Sequence, residues 1–123
     1  MSFSKKTREI VHSKYDGHCA YCGSEITLRK MEIDHIIPKY HIEEGYAKVD
    51  YDKDDIINLN PACKSCNRYK DTFTIEKFRE QIQSIQEKLS KYRWIFRIAL
   101  VYDMITIRDK KVTFYFERIN NGI

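Results

Sequence analysis

The four cysteines of this 123-residue chain constrain its fold more than any other feature, because they form two Cys-x-x-Cys pairs. Cys19 and Cys22 make the first pair, and Cys63 and Cys66 make the second pair after 40 intervening residues. Two such pairs predict one tetrahedral Zn²⁺ site, because each pair can offer two thiolates to the same ion. Zinc held by four cysteines has no open coordination position, so we expect it to stabilise the fold rather than to carry out chemistry.

Two other uses of the cysteines stay open at this point. A redox dithiol would fit a Cys-x-x-Cys pair, although the βαβ context typical of such pairs is missing. Disulfides would fit a secreted protein, but the start Met-Ser-Phe-Ser-Lys-Lys-Thr-Arg lacks the apolar segment of a signal peptide. We therefore expect a cytoplasmic protein with reduced, metal-binding thiols.

Length and composition favour one compact unit that does not enter a membrane. Hydrophobic residues make up 42% of the chain, enough for a modest core that a zinc site would help to close. The longest apolar stretch, residues 94–107, contains Arg97 and Asp103 and is shorter than the roughly 20 residues that cross a bilayer. The net charge of +4 is too small to identify a nucleic-acid partner by itself.

The sequence predicts helices in four places. One covers residues 4–15 with Ser4 as its cap, and another begins near Cys66. A third begins after Thr74, where Phe73 can pack onto Phe78, and residues 92–102 continue as a further helical segment. The third helix carries an apolar stripe that either packs on the protein's own core or forms a dimer seam. The stripe consists of Phe78, Ile82, Ile85, Leu89 and Tyr92.

Short β-prone runs predict the strands. Residues 25–28 and 31–33 lie between the cysteine pairs, and a further strand at residues 56–59 is expected to stop at Asn60-Pro61. Near the end of the chain, residues 112–117 are predicted to form a strand that pairs with residues 105–108 as a hairpin.

Polar residues that could carry chemistry cluster around the second cysteine pair. Asp34 and His35 follow a predicted strand, where the carboxylate could hold an ion and the imidazole could activate water. The segment after Pro61 is basic and contains no acidic residue as far as residue 70. We expect its three cations to contact the phosphates of a nucleic acid, although a solvated helix face is the alternative. These cations are Lys64, Arg68 and Lys70.

In their order and spacing, these elements resemble the signature of the HNH endonuclease family. The matching segments are Asp34-His35-Ile36-Ile37-Pro38, then Asn58-Leu59, then Cys63-x-x-Cys66-Asn67-x-x-Lys70. The resemblance covers residues 15–71 and implies an α+β fold. It consists of a ββα-metal (HNH) core held by the four-cysteine zinc site, with a C-terminal helical extension and a terminal strand or hairpin. We divide the chain accordingly into a nuclease domain at residues 1–73 and an extension at residues 74–123.

The resemblance also implies roles for single residues. Asp34 and Asn67 would hold a catalytic Mg²⁺ or Mn²⁺, and His35 would be the general base that activates water. Asn58 would brace the loop that positions His35. Two departures from the family pattern stand out. Asn67 replaces a histidine, which favours hard, oxygen-preferring ions, and Lys39-Tyr40-His41 replaces a glycine-containing turn.

The function expected from this resemblance is metal-dependent hydrolysis of DNA phosphodiester bonds, as a nick from a monomer or a double-strand cut from a homodimer. The cell would be bacterial or phage-infected, and a protein partner could supply the specificity that so short a chain lacks room for. The alternative is a non-catalytic, zinc-ribbon-like module that binds nucleic acid. It accounts for the cysteines and the basic residues but leaves Asp34, His35, Asn58 and Asn67 unexplained.

Overall fold

The computed structural model describes residues 3–38 and 53–120, except for the side chain of Tyr92. The segment Lys39-Tyr40-His41, where the chain departs from the family pattern, lies outside these residues. No helix in the described part of the chain is long and apolar enough to cross a bilayer. The predicted α+β class is confirmed, with helices arranged around a small antiparallel sheet.

The elements run along the chain in a simple order. They are α1 (Lys5–Ser13), β1 (Glu32–His35), a 3₁₀ turn (Ile56–Asn58), β2 (Leu59–Ala62), α2 (Lys64–Lys70), α3 (Ile75–Gln83), α4 (Ile85–Tyr92), α5 (Trp94–Val101) and α6 (Tyr115–Asn120). The expected caps are present, because the side chains of Ser4 and Thr74 accept hydrogen bonds from the backbone N–H groups of Thr7 and Lys77.

The sheet is an antiparallel pair in which Asp34 lies opposite Asn60 and His35 lies opposite Leu59. The strand predicted at residues 56–59 begins and ends later than expected. The 3₁₀ turn occupies residues 56–58, and the predicted stop at Asn60-Pro61 is wrong, because both residues lie inside β2. In a two-stranded sheet each strand is an edge, so proline is tolerated. The carbonyl of Pro61 is used all the same, since it accepts a hydrogen bond of 2.9 Å from the backbone N–H of Ala20.

The first cysteine pair lies in a tight loop rather than beside a regular strand. The strand predicted at residues 25–28 is wrong, because the described chain has there only an isolated bridge between His18 and Glu25. Gly23 has a φ of 80°, and a Cβ at this position would lie 2.8 Å from the ring of Tyr115. The loop therefore requires glycine both for its backbone conformation and for its contact with the C-terminal segment.

The terminal hairpin predicted from residues 105–108 and 112–117 is also wrong. Residues 104–114 have no regular structure, and α6 begins at Tyr115. Tertiary contacts take the place of strand pairing, because the backbone N–H groups of Tyr115 and Phe116 donate to the carbonyls of Tyr21 and Ala20. On the other side of this segment, the Gln83 side chain bonds the backbone of residues 110 and 112.

An aromatic cluster joins the two halves of the chain into one core. The rings of Phe78 and Phe114 stack with centroids 5.1 Å apart, and Tyr21 meets both rings edge-on. Ile82 packs against the same cluster, so the predicted stripe contributes to the protein's own core through Phe78 and Ile82. The boundary drawn between residues 73 and 74 thus passes through a single set of packed side chains.

Arg79 fixes the C-terminal segment onto α3. Its guanidinium donates to the carboxylates of Glu76 and Glu117 and to the carbonyl of Val112, and it lies over the Phe114 ring at 4.9 Å. The hydrogen bonds from Arg79 lower the pKa of the Glu117 carboxyl. One side chain therefore holds the backbone, a carboxylate and an aromatic face of the same segment.

We expect Phe114→Ala to lower the free energy of unfolding by about 3–5 kcal/mol, because it removes a buried ring at the centre of the aromatic cluster. Urea unfolding of the metal-loaded protein measures this loss. The matched control is Ile119→Ala in α6, whose side chain is half exposed and should change the stability by no more than about 0.5 kcal/mol. Equal losses in the two variants would show that the C-terminal segment is not part of the core.

Candidate functional site

The four cysteines converge as the sequence predicts. Their Sγ atoms all lie within 4.8 Å of one another, and those of Cys22 and Cys63 are 3.8 Å apart. Four sulfurs placed about 2.3 Å from one ion at the corners of a tetrahedron are separated by about 3.8 Å, so the cluster fits a metal ion. The hydrogen bond from the Cys66 thiol lowers the pKa of Cys19, and the same contact raises the pKa of Cys66.

The second cysteine pair also starts α2. Cys63 is the N-cap residue of this helix, and its sulfur accepts a hydrogen bond of 3.4 Å from the backbone N–H of Cys66. The metal cluster therefore fixes the first turn of the helix that carries Asn67. Because α2 packs against β1, fixing the start of α2 also fixes where Asn67 lies relative to the predicted site residues on β1.

Asp34 lies in the interior and is already paired. Its side chain is 4% exposed, Oδ2 accepts a hydrogen bond from the Tyr21 hydroxyl, and the Lys70 ammonium lies 3.1 Å from the same oxygen. Burial raises the pKa of the Asp34 carboxyl, while the charge of Lys70 opposes that rise. The other oxygen, Oδ1, has within residues 3–38 and 53–120 only a longer contact of 3.3 Å with Lys70, so it keeps acceptor capacity.

The prediction that Lys70 contacts DNA is wrong. Its side chain is fully buried, with Nζ bonded to Asp34 and to the backbone carbonyl of His35 at 2.8 Å. Burial lowers the pKa of this lysine, and the Asp34 charge opposes that change. Lys70 therefore joins α2 to the end of β1 from the inside and offers no charge to a phosphate on the surface.

His35 is the last residue of β1, and its side chain starts from the strand face opposite to that of Asp34. Its Nε2 lies 2.8 Å from Oδ1 of Asp54, and both side chains are partly accessible to solvent. When Nε2 donates to this carboxylate, Nδ1 is the nitrogen left to accept a proton. Sequence reasoning did not identify Asp54, which lies 19 residues after His35.

Asn67 lies beside a carboxylate that sequence reasoning also missed. Its Nδ2 donates a hydrogen bond of 2.7 Å to Oε1 of Glu32, and both residues are partly buried. Glu32 precedes Asp34 by two positions on β1, so the period of a strand places the two carboxylates on one face. This two-residue spacing could have predicted from the sequence that Glu32 offers a second carboxylate on the face of Asp34.

Asn58 holds the two segments that flank the site. Its side chain is 1% exposed and bonds both the N–H and the carbonyl of Ile37, at 2.8 and 3.1 Å, as well as the carbonyl of Lys53 at 2.8 Å. A buried amide with all these partners fixes the chain after His35 against the chain that carries Asp54. This geometry is what a residue that positions His35 requires.

Lys64 and Arg68 differ from Lys70 in being accessible to solvent. They lie four residues apart on α2, so they share one face of the helix. Asn67 immediately precedes Arg68 on the same helix. These two cations are therefore the accessible ones of the three that the sequence singled out.

Comparisons with known proteins agree with the motif pattern. Residues 19–73 match the family model for HNH endonuclease. The chain is 29% identical over 91 residues to YoqL, an SPbeta prophage-derived protein of Bacillus subtilis (strain 168) that is named as a provisional HNH endonuclease. That match covers 64% of this chain and 38% of the relative, so the chain spans well under half of the relative's length.

Among solved structures, the chain matches part of the Type II-C Cas9 enzyme from Actinomyces naeslundii. The TM-score is 0.49 at 20% sequence identity, and the match covers 66% of this chain and 9% of the other.

We expect Lys70→Ala to cost about 3–5 kcal/mol in the free energy of unfolding, because it leaves the Asp34 carboxylate buried without its counter-charge. Lys64→Ala on the same helix is the matched control and should change stability by no more than about 0.5 kcal/mol. Combining Lys70→Met with Asp34→Asn should cost less than the sum of the single changes. Additive costs would show that the two side chains do not act as a pair.

Proposed function

We propose that the chain is a metal-dependent endonuclease that hydrolyses DNA phosphodiester bonds, on the premise that residues 19–73 match the family model for HNH endonuclease. The observation that carries the proposal is the pairing of His35 with Asp54 at the partly accessible end of β1. A binding module without chemistry has no use for an imidazole held in this way at the end of the strand that also carries Glu32 and Asp34.

In this proposal His35 is the general base. Asp54 holds Nε2–H, so Nδ1 accepts a proton from the water that attacks phosphorus. The new bond joins the water oxygen to phosphorus as the bond from phosphorus to the 3′ oxygen breaks. The leaving oxygen takes a proton from solvent, and the products are a 3′-hydroxyl and a 5′-phosphate. Asn58 contributes by fixing the segments on either side of this pair.

The divalent ion that this chemistry requires is proposed to bind at the junction of β1 and α2. Asn67 and Glu32 supply accessible oxygen donors there, and Oδ1 of Asp34 supplies a further one on the same strand face. An amide and carboxylates suit Mg²⁺ or Mn²⁺, so the donor set fits. When bound, the ion supplies positive charge to the phosphate at which the bond breaks.

The proposed ion of the cysteine cluster is Zn²⁺, because four thiolates in a tetrahedron are its preferred structural site. Lys64 and Arg68 are proposed to contact phosphates of the DNA, since both are accessible on the helix that carries Asn67. The whole chain would thus combine a structural ion, a catalytic ion and a phosphate-contacting helix face.

We expect His35→Ala to lower the rate of plasmid cleavage at least about a hundredfold, because it removes the proton acceptor. Nicking and linearisation of supercoiled plasmid are followed with Mg²⁺ or Mn²⁺ and with EDTA. The control is His12→Gln, whose side chain lies on α1 and bonds the carbonyl of Ile26 outside the site. Asp54→Asn should slow cleavage, and Asp54→Glu should restore part of the rate.

Each cleavage variant is first shown to be folded and to hold one zinc per chain. Undiminished cleavage by such a His35→Ala preparation, free of contaminating nuclease, would contradict the assigned base. DNA binding by wild type without hydrolysis under either metal would instead favour the zinc-ribbon-like binding module.

We expect Asn67→Ala, Glu32→Gln and Asp34→Asn each to weaken Mn²⁺ binding at least about tenfold, because the first removes a ligand oxygen and each of the other two removes a negative charge and one of the two carboxylate oxygens. The measurement is the free Mn²⁺ signal in electron paramagnetic resonance during titration of the zinc-loaded protein. Glu25→Gln is the control, because this exposed carboxylate lies outside β1. Unchanged affinity in Asp34→Asn alone would remove Asp34 from the ligand set and leave Glu32 and Asn67.

A further inference from the structure

Most of the large apolar side chains that are highly exposed in the described residues lie on α5 and just after it. Six large side chains there are between 39% and 78% exposed. They are Trp94, Ile95, Ile98, Val101, Tyr102 and Met104. The less exposed part of the helix includes Ala99 and Leu100, and α5 packs against α4. The exposed stripe thus spans more than a third of the helix circumference.

The size of this surface exceeds what a monomer normally exposes. With about 150–250 Å² for a fully exposed aromatic side chain and less for an aliphatic one, the six residues present on the order of 700 Å² to solvent. The largest apolar patch of a typical monomer is about 300–600 Å², whereas a stable protein interface buries about 800 Å² on each partner. Tryptophan, tyrosine and methionine are also residues that interfaces favour.

The order of residues along α5 is self-complementary. When two copies of the helix lie antiparallel about a two-fold axis at Ile98, Trp94 of one copy lies opposite Tyr102 of the other, and Ile95 lies opposite Val101. Five of the six apolar side chains are matched in this way, because Ile98 meets its own copy, and Met104 lies beyond the matched positions. This is the arrangement that an isologous interface requires, because the same patch must serve both partners.

The charges at the two ends of the stripe follow the same symmetry. Arg93 precedes Ile98 by five residues and Asp103 follows it by five, and both side chains are exposed. Neither takes part in an ion pair within residues 3–38 and 53–120. An antiparallel pair of helices brings Arg93 of one copy to the end where Asp103 of the second copy lies.

From these observations we propose that the chain is a homodimer whose two copies pack α5 against α5, antiparallel about Ile98. The apolar stripe defines the interface, and the Arg93–Asp103 pairs at its ends fix the direction of the helices. The proposal does not depend on the nuclease assignment. A dimer of this kind contains two copies of the site on β1 and α2. Its interface is the surface of α5 and not the apolar stripe that begins at Phe78, which the sequence offered as a possible dimer seam.

The first test is the molar mass in solution, measured by sedimentation equilibrium of the zinc-loaded chain over a hundredfold range of concentration in the micromolar region. We expect wild type to be dimeric and Ile98→Asp to be monomeric, with unchanged circular dichroism. Ile10→Asp is the matched control, because Ile10 is 43% exposed on α1 and Ile98 is 39% exposed on α5. A monomeric wild type throughout this range, or a dimer that Ile98→Asp leaves intact, would overturn the proposal.

The second test separates this helix pairing from any other use of the apolar surface. Arg93→Asp and Asp103→Arg should each weaken the dimer about tenfold, because each places like charges at both ends of the interface. The double variant carries both changes and restores opposite charges, so its dissociation constant should return towards the wild-type value. A double variant that is weaker than either single variant would exclude the antiparallel pairing.

Discussion

The buried contact between Lys70 and Asp34 is the interaction on which the rest of the site depends. Taking both charges out of water costs several kcal/mol for each ion, and this cost is offset only when further hydrogen bonds complete the pair. Tyr21 supplies one of these to Asp34, and the carbonyl of His35 accepts another from Lys70. The contact therefore forms only when the first cysteine loop, β1 and α2 are all in place.

The same contact relates the metal cluster to the residues proposed for catalysis. Tyr21 lies within the first Cys-x-x-Cys pair, and α2 begins at the second pair. An ion bound by the cysteines would thus fix both ends of the hydrogen-bond chain that surrounds Asp34. The thiolates perform no chemistry in this arrangement, but they set the distance between β1 and the helix that carries Asn67.

The elements that were predictable from the sequence are those whose spacing is fixed by local geometry. The cysteine pairs, the caps at Ser4 and Thr74, and the α+β class follow from short-range rules, and the structure confirms them. What failed depends on distant contacts. Alternating aromatic residues predict a strand at residues 112–117, yet Phe114 packs into a core formed with Tyr21 and Phe78.

The roles of single residues were predictable to the same extent, because those that depend on distant contacts were missed. Only the packing of α2 on β1 shows that Lys70 is buried. Asp54 lies beside His35 because Asn58 bonds the segments that flank the two residues. The position of Glu32 on the same strand face as Asp34, by contrast, was predictable from the two-residue period of a strand.

The contact between Tyr21 and Phe114 has a consequence for the order in which the protein folds. The two residues are 93 positions apart, counted as 114 minus 21, so the core closes through one of the longest loops that the chain allows. Contacts of this range slow folding, and during synthesis the second ring is made long after the first. The cysteine cluster needs only the chain up to Cys66, so a growing polypeptide can bind its metal while the aromatic core is still incomplete. A chain that binds metal at that stage would hold the helix bearing Asn67 through its cysteine ligands before the aromatic packing is complete.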